Sequence, residues 1–524
     1  MAEITKAHEL AKKQREISVS EFFTKNRHLL GFDKPTRALL MAVKEGVDNS
    51  VDACDETNVL PEIYVELKKI NEERFVIIIE DNGPGIVKNQ IPNIFGKLLY
   101  GSKFHTLIQN RGQQGIGISA VVLYSQLTTG KPIKVISKIS PNKPAQYYEI
   151  QIDTQRNEPK ILKEEQREWK KEHGTRIEIE LDGRYQKGRQ SVDEYIKETA
   201  IANPHAEIIY VDPNKEKMKY SRAVNEFPKK PKEIKPHPYG VELGTLLWML
   251  GSTTARSVHG FFVNDFSSVG SGTAEEICKR AKINPGKKPK LVTNQEAEAL
   301  LKSIKETKIR APPTDCLSPI TSSVLEKSLK KEFNADFYTV VSRSPEVYRG
   351  FPFIIEVALV YGGDLPKDET ARLIRFANRV PLLFQQGACA ITEAVLDTNW
   401  KPYGMQQSGN NLLVGPLVIL VHLCSVWPPF TSEAKDALAH YDEIIREIKL
   451  ALQEAGRQLG IWIRKNVKAR EQQEKVNLFE RYIPELASSL SSLTGEKKTK
   501  IEDSFKKVLK KNLKGLLENG ETAK

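Results

Sequence analysis

Hydrophobic residues near the N-terminus recur at helical spacing and mark a helix with two distinct faces. The apolar stripe, with members three or four positions apart, consists of Leu40, Val43, Val47 and Val51. Residues at this spacing share one face of an α-helix, and Glu45, Asn49 and Asp52 fall together on another. We therefore expect one face to pack and the other to carry chemistry. Gly46 lies inside this helix, at a cost of about 1 kcal/mol relative to alanine.

Short apolar runs predict strands in the first part of the chain. Residues 75–79 are rich in β-branched side chains and too short to span a membrane, which favours a buried strand. The predicted strands are residues 62–69, 74–80, 133–140 and 176–181, and residues 116–123 are predicted as a helix. They indicate an α/β (α+β) domain with a largely antiparallel sheet. Residues 214–238, rich in lysine and proline, are predicted as a linker.

The second half of the chain alternates helical and strand-like segments. Residues 243–250, 255–262 and 273–281 have helical patterns. Farther along, residues 353–361, 390–396 and 417–423 are predicted as strands, and residues 368–379 and 432–458 as helices. We expect the last helix to begin at Thr431 or Ser432, either of which can cap it, and to continue past Arg464.

Composition indicates a large intracellular protein. A chain of 524 residues is too long for one hydrophobic core, so about three or four domains are expected. The five cysteines show no Cys-x-x-Cys pair and no zinc spacing, and the N-terminus has no apolar signal segment, which predicts a reducing, cytoplasmic compartment. Residues 412–427, the most apolar stretch, are shorter than the ~20 residues that cross a bilayer, so we expect them in the core.

The charge balance permits contact with a polyanion. Net charge is +12, from 79 basic and 67 acidic residues. Lysine clusters occur at residues 229–232, 279–282, 287–290 and 497–500. Contacts of this kind would hold phosphates without reading sequence, although each cluster is equally well explained as solvated surface.

The polar face of the first helix has the residue types of a metal-assisted hydrolase. Glu45 lies one turn before Asn49, so an amide oxygen can hold magnesium while the carboxylate polarises an attacking water. A solvated helix face is the alternative interpretation.

A second polar element follows the strand at residues 75–79. Its sequence is Asp81, Asn82, Gly83, Pro84 and Gly85. Asp81 can accept from an exocyclic amino group such as that of adenine, and the glycines let backbone approach the base. An ordinary turn is the alternative, because Asn-Gly and Pro-Gly pairs both mark chain reversals.

The third element is rich in glycine. Gly112, Gly115 and Gly117 can turn backbone N–H groups toward phosphate, and the positive end of the helix that follows favours anions. Ser102 and Lys103 lie upstream as further phosphate contacts. A P-loop or Rossmann interpretation fails, because the required Gly-x-x-x-x-Gly-Lys-Ser/Thr motif and the strand-glycine-helix context are missing.

The order of these three elements resembles the GHKL ATPases, the superfamily of gyrase B, the MutL proteins, the heat-shock chaperones and the histidine kinases. The resemblance implies ATP and Mg²⁺ as cofactors, Glu45 as general base, Asn49 as magnesium ligand and Asp81 as adenine contact. Thr175, which opens a strand after Gly174, looks like the Gly-Thr element beside the adenine. The other ATP-binding residues that it implies are Asp52, Gly83, Gly85, Ser102, Lys103, Arg111, Gly112, Gln113, Gln114, Gly115, Ile116, Gly117 and Ile118.

A narrower resemblance extends over most of the chain. Residues 15–32, 101–105, 111–118 and 429–436 look like the B subunits of archaeal type IIB DNA topoisomerases, the topoisomerase VI family. This implies a GHKL (Bergerat) ATPase sandwich with an N-terminal strap, a helix-two-turn-helix insert, a transducer domain with a long C-terminal helix, and a helical tail. The tail is either a helix pair that docks a partner or a solvated extension. The corresponding ranges are 1–228, 229–308, 309–470 and 471–524. In the transducer, the resemblance implies that Lys435 is catalytic and binds ATP. Its side chain is expected to contact the terminal phosphate and so to distinguish ATP from ADP.

Partners are also implied by this resemblance. Two copies are expected to dimerise on binding ATP through the strap at residues 17–23, to trap double-stranded DNA, and to join two DNA-cutting A subunits of topoisomerase VI in a heterotetramer. The cutting tyrosine and its acidic magnesium-binding domain belong to the A subunits in that family. Alone, this chain is expected to show at most ATP-dependent closure and slow turnover of ATP. We also expect it to associate with the nucleoid and not with a membrane.

Three other interpretations of the sequence stay open. A MutL-like repair ATPase would share the pocket but would not need the helical insert. A histidine kinase or chaperone fits less well, because no histidine lies in an obvious dimerisation helix before the ATP domain. A DNA clamp with a vestigial ATP site is the non-enzymatic alternative, and the intact Glu45 and Asn49 argue against it.

Overall fold

A computed structural model describes residues 6, 10, 11, 14, 16–103, 106–112, 115–407, 409 and 411–521. Two compact units divide the chain. The first comprises the residues up to Asn399 together with Gln407–Ala455, and the second comprises Trp400–Gln406 and the chain from Gly456 onward.

The first unit begins with a sheet of eight strands. The strands are β1 (Glu62–Lys69), β2 (Arg74–Glu80), β3 (Ile133–Lys138), β4 (Ala145–Asp153), β5 (Glu158–Arg167), β6 (Gly174–Asp182), β7 (Glu207–Val211) and β8 (Lys217–Tyr220). Their spatial order is β5-β4-β3-β6-β2-β1-β7-β8, and of these pairs only β1 with β7 is parallel. The predicted antiparallel sheet is thus confirmed, but the predicted linker at residues 214–238 is wrong in its first part, because β8 pairs with β7 there.

Helices cover this sheet and share its hydrophobic core. They are α1 (Val19–Lys25), α2 (Pro35–Thr57), α3 (Ile91–Gly96), α4 (Gly117–Thr129) and α5 (Val192–Ala202). The predicted stripe of α2 is buried, with Val43, Val47 and Val51 fully inaccessible. Gly46 also faces the sheet, where an added Cβ would lie 2.3 Å from Cδ1 of Ile79 and 3.3 Å from Cδ1 of Ile177. The glycine is therefore explained by the close approach of α2 to β2 and β6.

A helical insert with its own core follows the first sheet. Its helices are α6 (Leu243–Ser252), α7 (Val258–Asp265), α8 (Ser271–Arg280) and α9 (Asn294–Glu306). Their buried apolar side chains form a cluster running from Val241 to Ile309, with Phe261 and Phe262 completely buried. A capping box at Thr293 and Glu296 starts α9. The helices predicted in this region are confirmed to within a few residues.

A second sheet occupies the rest of the first unit. After α10 (Ser322–Glu332) come β9 (Phe337–Ser342), β10 (Glu346–Tyr348), β11 (Phe351–Tyr361), β12 (Arg372–Ala377), β13 (Val380–Pro381), the helix α11 (Ala390–Leu396) and β14 (Leu417–Ser425). The strand order is β10-β11-β14-β12-β13, with β9 also paired to β11. Every residue of β14 is buried, which explains the highly apolar sequence there.

Three sequence predictions in this region are wrong. Residues 368–379 contain a strand, not a helix, because Ile374, Phe376 and Ala377 of β12 are all buried in parallel pairing with β14. Residues 390–396 form a short helix and not the predicted strand, because Ile391, Ala394 and Val395, three or four positions apart, are buried on one helix face. Residues 432–441 are not helical, and α12 (Asp442–Thr494) begins ten residues later than expected.

Tertiary contacts explain why the helix does not begin at residue 432. Phe430 and Leu438 form a β-bridge, and the backbone N–H of Thr431 donates to Ala437 at 3.0 Å. The chain between them folds back as a loop in which Lys435 has a left-handed backbone, with φ at 56°. Residues 428–441 are called the lysine loop below.

The second unit consists of the later part of α12, α13 (Lys498–Glu521) and Trp400–Gln406. Within it, Gly456 and Gly460 lie against Tyr403, whose ring would be 2.5 Å from a Cβ at position 456. In the part of the chain that the structure describes, no helix is both long enough and apolar enough to cross a bilayer.

Replacing Gly46 with alanine is expected to lower the melting temperature, because the methyl group must displace Ile79. Overpacking of this kind typically costs about 1–3 kcal/mol, against a gain in helix propensity of about 1 kcal/mol. In an I79V background, which lacks Cδ1, G46A should have no effect or be stabilising. The matched control is G244A in α6, where an added Cβ meets nothing within 4 Å. Equal losses from G46A in both backgrounds, measured by scanning calorimetry, would contradict the packing explanation.

Candidate nucleotide site

A cavity of about 590 Å³ lies between α2, the ends of β2 and β6, the start of α4 and the lysine loop. The predicted site residues that line it are Glu45, Asn49, Asp52, Asp81, Gly85, Ser102, Lys103, Arg111, Gly112, Gly115, Ile116, Gly117, Ile118, Thr175 and Lys435. Gly83 does not line it but donates its N–H to Asp81. Gln113 and Gln114 lie outside the described residues.

Asp81 is held rigidly at the floor of the cavity. Its Oδ1 accepts from the backbone N–H of Gly83 at 2.9 Å and of Thr175 at 3.0 Å, while Oδ2 accepts from the Ser50 hydroxyl at 3.1 Å. Burial raises the pKa of Asp81, although these donors act in the opposite direction. Oδ2 has acceptor capacity left, so it is oriented to receive a donor from a ligand.

Close backbone packing explains why glycine occupies two positions near Asp81 in the fold, Gly85 and Gly174. Gly85 has φ at 71°, and a Cβ there would lie 2.1 Å from the carbonyl oxygen of Lys138. At Gly174, with φ at 134°, a Cβ would lie 2.3 Å from the carbonyl oxygen of Asp81. Side chains at either position would push apart the strands that form the cavity floor.

Glu45 lies directly against the first residue of α4. A Cβ at Gly117 would be 1.9 Å from Oε2 of Glu45, so the missing side chain is what admits the carboxylate. Asn49, one turn later, is exposed to the cavity, and its carboxamide makes no hydrogen bond with any residue that the structure describes. The helix thus presents an acid and a free amide side by side.

The lysine loop carries Lys435 into the same cavity. Asp436 anchors the loop to α2 through Arg37, with 2.5 Å between Nη2 and Oδ2, and the Ser432 hydroxyl lies 3.2 Å from the same carboxylate oxygen. Ala434 is buried in the core of the first sheet. These contacts fix the backbone on both sides of Lys435.

Electrostatic repulsion acts on Lys435. Burial, followed by the nearby ammonium group of Lys44, lowers the pKa of Lys435, while Glu45 acts in the opposite direction. Among the described residues, no carboxylate forms an ion pair with Lys435 within 4.0 Å. An anion bound in the cavity beside Lys435 would relieve this repulsion.

Lys103 and Arg111 are engaged in ion pairs with α2. Lys103 lies 2.7 Å from Asp52 and 2.6 Å from Glu56, and Arg111 lies 2.6 Å from Asp52 and 2.9 Å from Asp55. Although burial opposes ionisation, the two cations lower the pKa of Asp52. Asp52, Lys103 and Arg111 therefore brace the cavity wall, with their charged groups already paired.

A buried trio of possible metal ligands lies elsewhere in the unit, at Glu356, His422 and Cys424. Nε2 of His422 accepts from the backbone N–H of Arg379 at 3.0 Å, so the ring proton is on Nδ1, which donates to Glu356 at 2.9 Å. The carboxylate also accepts from the backbone of Ile320 and Thr321. Both ring nitrogens are used, so the trio is explained as a hydrogen-bond network within the core.

Several residues that shape the site were missed by sequence reasoning. They are Arg37, Lys44, Asp48, Ser50, Tyr195 and Asp436. Ser50 and Lys44 are each adjacent to a predicted site residue, and Asp436 follows Lys435, so proximity in sequence was the available signal. Tyr195 lies about 150 residues from its partner Asp48 and had no such signal.

The fold and the cavity define an ATPase of the GHKL class. Residues 35–184 match the family described as histidine kinase-, DNA gyrase B- and HSP90-like ATPase, and residues 312–475 match the transducer of the topoisomerase VI B subunit. The resemblance seen in the sequence and the predicted fold class are both confirmed.

Curated relatives narrow the assignment. Proteins named as B subunits of type 2 DNA topoisomerase 6 are 50% identical in Methanococcoides burtonii, over 93% of this chain and 78% of the relative, and 45% identical in Archaeoglobus fulgidus, over 95% and 82%. The Pyrococcus horikoshii protein of that name is 38% identical over 97% of both chains. The chain belongs to the family of topoisomerase VI B subunits, that is, to the B subunits of an ATP-dependent DNA topoisomerase.

The contact between Gly117 and Glu45 predicts unequal effects of alanine within the glycine-rich segment. G117A should displace the Glu45 carboxylate. If Glu45 is the general base, as the resemblance implies, ATP turnover should fall at least about tenfold, since misplacing a reacting group by about 1 Å has effects of this size. G112A is the comparison within the same segment, because an added Cβ there meets nothing within 4 Å, and its turnover should fall much less than that of G117A. Steady-state ATPase assays measure the turnover of both variants. Equal losses of turnover would contradict the contact between Gly117 and Glu45 as the cause.

Proposed function

We propose that ATP binding closes a dimer of this chain around a DNA duplex, and that the duplex then passes through a double-strand break made by partner A subunits. The outcome is relaxation of supercoils and decatenation. One observation carries the proposal: a single cavity is lined both by the acid-and-amide face of α2 and by Lys435 from the lysine loop. A triphosphate bound there contacts the ATPase domain and the transducer together.

The adenine end of the nucleotide belongs at Asp81 in this proposal. Oδ2 of Asp81 accepts from the exocyclic amino group, and the Thr175 hydroxyl, 3.2 Å from the Ser137 hydroxyl, borders the same pocket. Apolar side chains supply the remaining walls there, including Ile79, Ile94 and Ile177. At the opposite end, Gly112, Gly115 and Gly117 and the positive end of α4 face the phosphates.

The residues around Asn49 fit a magnesium ion. Mg²⁺ prefers hard oxygen ligands and usually combines one or two protein groups with water and substrate phosphates. The carboxamide of Asn49, which is exposed to the cavity and makes no hydrogen bond with the described residues, is a ligand of that type. When bound, the ion would neutralise phosphate charge.

Glu45 acts as the general base. Its carboxylate is on the cavity wall next to the start of α4, where the phosphates are placed, so a water between them can give up its proton to Glu45. Lys435 supplies positive charge at the terminal phosphate and loses this partner when the phosphate leaves. The transducer thereby distinguishes ATP from ADP, because a ligand shifts an equilibrium only through its differential affinity for the two states.

A complex of two copies of this chain with two A subunits completes the enzyme. Dimer closure uses the strap at residues 17–23, where Ile17 and Phe22 are exposed and available to a second copy. Cleavage of DNA is left to the A subunits, and the lysine-rich surfaces hold the duplex through its phosphates.

Replacing Glu45 with glutamine should separate binding from turnover. E45Q keeps the shape of the side chain but cannot take up a proton, so we expect ATP binding and ATP-dependent dimerisation to persist while turnover falls by about 10²-fold or more. Binding is followed by calorimetry, dimerisation by light scattering and turnover by phosphate release. Undiminished turnover would show that the base has been misassigned.

Reconstitution with the A subunit of an archaeal topoisomerase VI tests the whole proposal. We expect ATP-dependent relaxation of supercoiled plasmid from the mixture and none from either chain alone. K435M should retain ATP binding but lose most relaxation, since the lysine loop no longer senses the terminal phosphate. Relaxation by the mixture without ATP, or full activity of K435M, would contradict the proposed gating.

A further inference from the structure

A buried lysine that the proposed mechanism does not use lies next to Glu45. Lys44 is only 3% exposed, and its Nζ is 3.6 Å from Oε1 of Glu45 and 3.1 Å from Oδ2 of Asp48. Burial opposes the charged form, but Asp48 and Glu45 outweigh it and raise the pKa of Lys44. A buried ammonium group is therefore shared between two carboxylates of the same helix.

The second carboxylate is itself fixed from another element. Oδ1 of Asp48 accepts from the phenol of Tyr195 on α5 at 2.9 Å, and Tyr195 is completely buried. With one oxygen bound to Tyr195 and the other to Lys44, Asp48 cannot rotate without breaking a buried hydrogen bond. The position of Lys44 Nζ, and of the positive charge beside Glu45, is thus set by α5.

Charged and titratable groups from three elements lie around Glu45. On α2 they are Lys44, Asp48 and Asp52, on α5 Tyr195, and on the lysine loop Glu433, Lys435 and Asp436. Of these, Lys44 is the cation in direct ion-pair range of Glu45, whereas Lys435 is assigned to the phosphate. Glu433, on the lysine loop, contributes negative charge near Glu45.

We propose that Lys44 is a positioning residue for Glu45, held in place by Asp48 and Tyr195, and that it keeps the carboxylate ionised and oriented before ATP is hydrolysed. The inference rests on the proposed function, in which Glu45 is the base. Lys44 acts through Glu45 and does not touch the reacting atoms. In this arrangement Asp48 has two opposing effects: it holds Lys44 in place, and it competes with Glu45 for the same positive charge.

Opposite displacements of the pH-rate profile are the signature of such a shared cation. K44Q removes the positive charge, so Glu45 takes up a proton more readily and the acid limb of the kcat profile should move to higher pH by roughly one unit. D48N removes the competing negative charge and leaves the whole ammonium charge to Glu45, so the limb should move to lower pH. K44R keeps a cation and should hold the limb closer to that of the parent chain than K44Q does.

The experiment measures kcat and KM for Mg-ATP between pH 5 and 9 in the full chain, with each variant's melting temperature and ATP affinity as folding controls. Ionisation of ATP is common to all variants and cancels in the comparison. A kcat for K44Q at neutral pH reduced about tenfold, with KM within about threefold, together with the opposite limb displacements, supports the inference. Limbs that move in the same direction, or do not move, overturn it.

Two further outcomes distinguish the inference from the proposed function. If K44Q fails to fold because Asp48 is left unpaired, the direction in which D48N moves the acid limb of the kcat profile still decides whether the inference holds. Loss of turnover in E45Q with unchanged profiles for the Lys44 and Asp48 variants would overturn the role of Lys44 and leave Glu45 as the base. Turnover retained in E45Q would instead overturn the proposed function, and this inference with it.

Discussion

The burial of Arg111 between Asp52 and Asp55 is the interaction on which the nucleotide site depends. Removing one partner from a buried ion pair typically costs roughly 3–5 kcal/mol, since the remaining charge is left unpaired. This pair fixes the glycine-rich segment to α2 at residue 111, and the contact between Gly117 and Glu45 fixes its other end to the same helix. A single helix therefore sets the geometry of the acid, the amide and both ends of the glycine-rich segment.

The same anchor continues into the second sheet. The side chain of Gln109 pairs with the backbone of Ser318, accepting from its N–H at 2.7 Å and donating to its carbonyl at 3.1 Å, and Asn378 donates to the carbonyl of Asn110 at 2.9 Å. Because these bonds precede Arg111 by one or two residues, a displacement of the glycine-rich segment would act directly on the transducer. The nucleotide cavity and the second sheet are thus joined by two routes, this one and the lysine loop.

Sequence reasoning succeeded where short-range chemistry determined the structure. The face of α2 and the turn at Asp81 follow from local spacing, because side chains three or four residues apart on a helix must be neighbours. It failed at β12 and at residues 432–441, where tertiary contacts override local pattern: Ile374 and Phe376 are buried in pairing with β14, and Asp436 is bound by Arg37 almost 400 residues earlier. Asp48 and Tyr195 illustrate the same limit, since no local pattern connects them.

The loop conformation around Lys435 suits the proposed sensor role better than the expected helix would. Two opposing contributions act on the docking of this loop: the ion pair between Asp436 and Arg37 favours it, and repulsion between Lys435 and Lys44 opposes it. A triphosphate in the cavity would leave the ion pair between Asp436 and Arg37 unchanged. Its negative charge would attract Lys435 and so offset the repulsion from Lys44. In the proposed mechanism, the state of the nucleotide would change the docking free energy through one side chain, while the backbone on either side stays anchored. A lysine on a rigid helix would instead have to move the whole element to respond.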